Sequence, residues 1–166
     1  MISTELVSRA KSGDVHAFAL LYEQIYKDLY RFALYTLGHA QDAEDAVSET
    51  VTDAFSQIGS LKEADAFRAW MFQILTRKCS RRLRGYMERE TELDETIPAP
   101  GTDLEGQLDV RQAFESLAAR DRLILSMSIF AGYSSQEIGS ALNLNPNTVR
   151  SRQSRALKKM QSLIEA

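Results

Sequence analysis

Residues 133–160 read YSSQEIGSALNLNPNTVRSRQSRALKKM. Two short helical patterns flank a tight turn here, and the local chemistry marks their ends. Ser134 is placed to cap the first helix, with Glu137 three residues on to bond back in a capping box. Ile138, Ala141 and Leu142 give that helix one apolar face. Asn143-Leu144-Asn145 reads as the turn, and Asn143 is a residue type that tolerates left-handed backbone. Asn145 then caps the second helix, and Pro146 takes its first position, where a missing N–H costs nothing. This is the pattern of a helix-turn-helix, whose second helix enters the major groove of DNA.

A helical wheel divides the second helix. Val149, Gln153, Ala156, Leu157 and Met160 gather on one side and are expected to pack inward. Arg150, Ser151, Arg152, Ser154, Arg155, Lys158 and Lys159 cover the other arc, with five cations and no acid. A solvated basic face on an ordinary amphipathic helix is the plain alternative. The double cap, short turn and unopposed charge together favour DNA.

The whole chain has 166 residues and a net charge of −3, which at first sight argues against a DNA partner. The total hides a segregation: residues 1–85 are neutral, 86–104 carry −5 and 105–166 carry +2. Local distribution governs association with DNA more than the sum does. Three prolines, eight glycines and apolar residues spaced by three and four predict an all-α fold. No apolar run approaches the ~18 residues of a membrane span. The N-terminus, MISTELVSRAKSGD, is polar and unlike a secretory signal. A lone cysteine, Cys79, excludes an internal disulfide and fits a cytoplasmic protein. With His16 and His39 far apart, no metal-ligand spacing exists, and no cofactor is expected.

Residues 89–106, RETELDETIPAPGTDLEG, are acidic, hold two of the three prolines and lack aromatics. Such a stretch reads as a flexible linker. It divides the chain into an N-terminal helical domain at 1–88 and a C-terminal domain at 107–166. Four helices are expected in the first: Thr4–Ala10, Ala17–Leu37, Asp42–Ile58 and Ala64 to about Tyr86. Phe18, Leu21, Tyr22, Ile25, Leu29, Phe32 and Leu37 form the inward stripe of the second. Ala43, Ala46, Val47, Val51, Ala54 and Phe55 form that of the third.

The fourth helix changes character along its length. AFRAWMFQIL is apolar, whereas TRKCSRRLRG carries five cations and no acid. Phe72, Leu75, Cys79 and Leu83 fall on one face. Trp70, Ile74, Arg77, Arg81 and Arg84 fall beside it, so that an aromatic ring and a ladder of guanidinium groups could bind phosphates and stack on bases. Cations that complement a helix C-terminus are the alternative, but five exceed that need. The third helix opens on the opposite charge, DAEDAVSET, which suits either its dipole or a basic partner protein.

The ordered set of these features resembles the extracytoplasmic-function (ECF) group of the sigma-70 family of bacterial RNA polymerase sigma factors. The resemblance rests on FALLYEQIYKDLYRFALYTLGHAQDAEDAVSETVTDAF, AFRAWMFQILTRKCSRRLR and NTVRSRQSRALKKM, and it spans nearly the whole chain. It implies a non-enzymatic initiation factor that binds core RNA polymerase through the β′ clamp helices and the β subunit. Asp42, Glu44, Asp45, Val47, Glu49 and Thr50 would meet the clamp helices. Trp70, Arg77, Lys78, Arg81, Arg82, Arg84 and Tyr86 would recognise and melt the −10 promoter element, with a loop at 85–89 capturing a flipped base. Asn147, Thr148, Arg150, Ser151, Ser154 and Arg155 would read the −35 element, and Arg152, Lys158 and Lys159 would hold its phosphates. The resemblance also implies an anti-sigma factor as partner, with no membrane insertion and no small-molecule substrate. The chain departs from the family's common pattern at Ala46, Ser48, Leu117-Ala118-Ala119 and Asn147-Thr148. A helix-turn-helix regulator acting without polymerase, a helical adaptor for acidic proteins and an enzyme are the rival readings. An enzyme would need a phosphate loop, a nucleophile triad or metal spacing, and the chain contains none of these.

Overall fold

Asp14 and Gly38 delimit the longest helix of the N-terminal half. Asp14 caps its start, the carboxylate accepting from the Ala17 N–H at 3.1 Å, and Gly38 ends it in the left-handed conformation at φ 79°. That N–H and the Arg9 guanidinium pull the Asp14 carboxyl below the ordinary carboxylate range. The computed structural model describes residues 2–92 and 109–165, with no strand among them. The order is α1 (Thr4–Lys11), α2 (Val15–Leu37), α3 (Ala40–Gln57), α4 (Phe67–Glu92), α5 (Val110–Glu115), α6 (Ala119–Ile129), α7 (Ser135–Leu142) and α8 (Pro146–Glu165). Two single 3₁₀ turns, Ile58–Ser60 and Ala64–Ala66, join α3 to α4.

The expected stripes mostly point inward. Phe18, Leu21, Ile25, Leu29, Phe32 and Leu37 of α2 are buried with Ala43, Ala46, Val47 and Ala54 of α3 and Phe72, Leu75, Cys79 and Leu83 of α4. Phe32 meets Phe72 edge to face, with centroids 5.8 Å apart. Tyr22 and Val51 are half-buried. Phe55 departs from expectation: it lies at the edge of the α3 stripe and is 42% exposed, its ring leaning on Phe18.

The two halves pack on each other. Helix α6 is the centre of that contact, touching α2, α4, α7 and α8. Its residues Leu123 to Met127 are buried in unbroken succession, as expected of a helix that is covered all round. Leu123, Ile124 and Met127 join the core of the N-terminal half, along with Ile138 and Val149. Leu125 turns the other way, into a second core with Ala113, Phe114, Leu117, Ala156 and Met160. Two arginines fasten the halves to backbone carbonyls. Arg122 donates from Nε to the Thr36 carbonyl at 3.1 Å and from Nη1 to Leu117 at 2.7 Å. Arg68 donates to the Phe130 carbonyl at 3.0 Å and to Asp28 at 3.1 Å.

Two expectations are corrected. The fourth helix does not end near Tyr86, and residues 85–89 are not a loop. Helix α4 runs through Gly85 to Glu92 and takes in the first residues of the expected linker. A single glycine costs a helix only about 1 kcal/mol, and the Met, Glu and Arg around it are good helix formers. The rest of the acidic stretch, 93–108, lies outside the described residues. In α8, Leu157 is 50% exposed rather than inward. The inward seam runs Val149, Ala156, Met160, and Leu157 falls at its rim.

Candidate nucleic-acid and partner interface

The helix-turn-helix forms as its sequence dictates. Ser134 Oγ accepts from the Glu137 N–H at 3.1 Å, and Glu137 Oε1 accepts from the Ser134 N–H at 3.0 Å. These bonds hold the Glu137 carboxyl below its ordinary range. Asn143 sits at φ 58°, among the described residues the only non-glycine at positive φ. Asn145 Oδ1 accepts from the Asn147 N–H at 2.8 Å, and Pro146 opens α8. Gly139 is buried where α7 meets the turn, and a Cβ there would lie 2.5 Å from the Leu144 carbonyl oxygen.

This geometry presents Asn147, Thr148, Arg150, Ser151, Ser154, Arg155, Lys158 and Lys159 to solvent on one face of α8. Asn147 Oδ1 accepts from Arg150 Nη2, which fixes that guanidinium along the helix. Arg152 stands apart from this group. It is half-buried and pairs with Asp121 of α6 at 3.1 Å, tying α8 to its own domain. Lys159 donates to the Ser116 carbonyl at 3.2 Å.

The five cations of α4 divide between two sides. Arg77, Arg81 and Arg84 are exposed and line an open groove of about 1090 Å³ whose opposite wall is α6 and α7. Arg120 joins them from α6, with Glu137 the acidic side chain on that wall. Lys78 and Arg82 turn instead to α3. Lys78 Nζ lies 2.6 Å from Asp53, and Arg82 Nη2 lies 2.7 Å from Glu49. The Tyr86 hydroxyl continues this seam by donating to Asp42, and its ring meets His39 edge to face. Trp70 is half-buried against Phe67 and is not a wall of the groove.

On α3, Glu44, Asp45 and Glu49 are exposed and Asp42 is half-buried. Val47 and Thr50 are corrected as surface contacts. Val47 is 2% exposed and Thr50 fully buried, its hydroxyl donating to the Ala46 carbonyl at 2.8 Å. Asp53 and Arg120 were not foreseen. The signal for Asp53 was present: Glu49 and Asp53 repeat at the spacing of Lys78 and Arg82, as two antiparallel helices with paired charges require.

Residues 21–88 match the family described as Sigma-70 region 2, and residues 107–160 match Sigma-70, region 4. The chain belongs to the ECF group of the sigma-70 family. It is 27% identical to the ECF RNA polymerase sigma factor SigM of Mycobacterium tuberculosis over 165 residues, 98% of this chain and 84% of the relative. It is 29% identical to the RNA polymerase sigma factor SigV of Bacillus subtilis over 137 residues, 81% of this chain and 82% of the relative. Its fold matches CnrH, solved in complex with the cytosolic domain of CnrY, at a TM-score of 0.67 and 23% identity, covering 99% of this chain and 98% of the other. It also matches the sigma factor RpoE of Bartonella quintana, solved with the anti-sigma factor NepR, at a TM-score of 0.67 and 24% identity, covering 92% and 99%. This sigma factor is thus a transcription initiation protein of two helical domains, the second a DNA-binding helix-turn-helix. Among its described residues no helix is long and apolar enough to cross a membrane, and no group of acids, histidines and cysteine could hold a metal.

Proposed function

We propose that this sigma factor binds core RNA polymerase in the cytoplasm, directs it to a two-part promoter and holds the opened strand. The observation that carries the reading is the separation of charge over three helices. Helix α8 presents a cationic face on a capped, rigid turn, suited to the −35 element. Helix α4 presents Arg77, Arg81 and Arg84 on an open groove, suited to the backbone of a −10 strand. Helix α3 presents Asp42, Glu44, Asp45 and Glu49, suited to cations on the clamp helices of β′. Neither DNA-facing surface is large, so affinity arises from tethering both to polymerase. An anti-sigma factor fits the same reading, because a protein covering the α3 or α4 face would block it.

Transcription from a cognate promoter, mapped with core polymerase on a genomic library, tests this. Arg150→Ala is expected to lower transcript yield by about tenfold or more, the loss of a bidentate base contact, without weakening a polymerase pull-down. Asp45→Lys is expected to weaken the pull-down and leave the −35 preference unchanged. Equal loss of both activities in either variant would sink the division of labour. Tight operator binding by the purified chain without polymerase would instead favour a regulator of the ordinary helix-turn-helix kind.

A further inference from the structure

The seam between α3 and α4 joins an acid that the proposed function offers to polymerase to a cation of α4 that lies off the DNA-facing groove. Glu49 stands in the acidic face offered to polymerase, and Arg82 belongs to the cationic run of α4 but turns away from the groove of Arg77, Arg81 and Arg84. In the isolated chain they hold each other, Arg82 Nη2 to Glu49 Oε1 at 2.7 Å. Their side chains are 26% and 49% exposed, so solvent and partners reach the pair. Lys78 is only 18% exposed and bonds to Asp53 one turn along. That second pair is the firmer tie between the helices and keeps them in register while the first exchanges.

We propose that Glu49 is an exchangeable counterion for Arg82. While the chain is alone, Glu49 neutralises Arg82 and withholds one cation of α4 from nucleic acid. A cationic surface docking on α3 takes over Glu49, and Arg82 becomes available to a phosphate of the DNA strand. Polymerase binding and strand binding are thereby coupled through one side-chain pair, without movement of either helix. An ion pair this exposed is worth about two- to fivefold in an equilibrium constant, so exchange is within reach of a partner's charge. The inference rests on the reading of α3 and α4 given above.

The test uses the full chain and a short fluorescein-labelled single-stranded DNA, with affinity read by anisotropy over a salt series. Glu49→Gln is expected to tighten binding about two- to fivefold. It is also expected to steepen the slope of log K against log salt by about 0.7, the value of one added phosphate contact. Both gains should vanish in an Arg82→Ala background, and Glu49→Asp, which keeps the charge, should restore the parent values. Glu44→Gln, on the same helix but outside the seam, measures the general effect of removing an acid. In the complex with core polymerase, Arg82→Ala should weaken promoter binding about two- to fivefold more than it weakens DNA binding by the chain alone. A gain from Glu49→Gln that survives Arg82→Ala, or that Glu44→Gln matches, would overturn the exchange. So would an unchanged slope in Glu49→Gln while Arg81→Ala still weakens binding. Failure of Arg81→Ala and Arg84→Ala to weaken binding would remove the DNA reading of α4, and the exchange with it.

Discussion

Gly139→Ala distinguishes two effects of opposite sign at one residue. In an open helix the substitution stabilises by about 1 kcal/mol, because alanine restricts the unfolded chain and favours helix. Here the added Cβ would lie 2.5 Å from the Leu144 carbonyl oxygen and 3.6 Å from the Pro146 nitrogen. The obstacle, the Leu144 carbonyl oxygen, is backbone, so no side chain can swing aside. The turn would have to withdraw from 2.5 Å to the 3.4 Å at which ordinary contact begins. That withdrawal strains the bond in which the Leu144 N–H donates to the Gly139 carbonyl at 2.9 Å. Overpacking of this kind costs about 1–3 kcal/mol. The clash therefore outweighs the propensity gain by up to about 2 kcal/mol, which for a chain of this size lowers Tm by up to roughly 8 °C. Thermal unfolding followed by circular dichroism measures it, with Gly59→Ala as the matched control, since a Cβ there meets nothing within 4 Å. Promoter-specific transcription should fall further than Tm alone explains, because the same turn sets the angle of α8. A rise in Tm for Gly139→Ala would refute the close approach and with it the geometry of the turn.

Other perturbations test separate parts of the structure. Ser134→Ala removes the cap of α7 and should cost about 1 kcal/mol. The partner carboxyl Glu137 is held below its ordinary 4.5, so its contribution is present above that pH and is lost as pH falls through the lowered value. The Tm difference between parent and Glu137→Ala should accordingly shrink on going from pH 7 to acid; a constant difference would show the box is not made. Cys79 is fully buried, and burial pushes its thiol far above the usual range. It should react with an aromatic disulfide reagent only as fast as the chain opens, and prompt labelling of native protein would contradict the packing of α4. Arg122→Ala removes the bonds to Thr36 and Leu117 together. Hydrogen exchange should then quicken in α6 before it does in α2, and equal protection in both variants would mean the arginine does not fasten the halves.

What the sequence made legible was local chemistry. The helix-turn-helix could be read residue by residue because each signal acts within four positions: Ser134 on Glu137, Asn143 on its own backbone, Asn145 and Pro146 on the first turn of α8. The stripes of α2 and α4 were equally legible, since period 3.6 is carried by the chain itself. Rims were less so, and Phe55 and Leu157 fell on the exposed side of faces drawn through them. The expected end of α4 near Tyr86 falls short, since Gly85 costs only about 1 kcal/mol against the helix formers that follow it. Lys78, Arg82 and Arg152 were read as free cations. Whether a cation is free depends on what another helix sets opposite it, and no wheel drawn on one helix shows that. The run RLILSMSIF at 122–130 did carry a sign of what became the central helix: it is apolar on every side, so it needs cover on every side.

That cover bears on how the protein works. Helix α6 lies against α2, and the second domain closes one wall of the groove beside Arg77 and Arg81. Promoter elements centred near −35 and −10 are about 25 base pairs apart, which at ~3.4 Å each is about 85 Å of duplex. A compact chain of this length has a radius of gyration of only about 15 Å. The packed halves cannot lie on both elements at once, so under the proposed function they must part when polymerase and promoter are engaged. The contact is built in a way that allows this. Leu123, Ile124 and Met127 hold it by apolar burial, yet the buried hydroxyls of Thr36 on α2 and Ser126 on α6 find no partner among the described residues. Each such group costs about 1–3 kcal/mol. To the extent that parting the halves wets these hydroxyls, it relieves that cost and offsets part of the apolar area exposed. Replacing Thr36 by valine, which keeps the shape and removes the orphan oxygen, should therefore tighten the packed form. Transcription from a two-part promoter should drop, while Tm rises. A rise in both would show that the packed arrangement is not in competition with the working one.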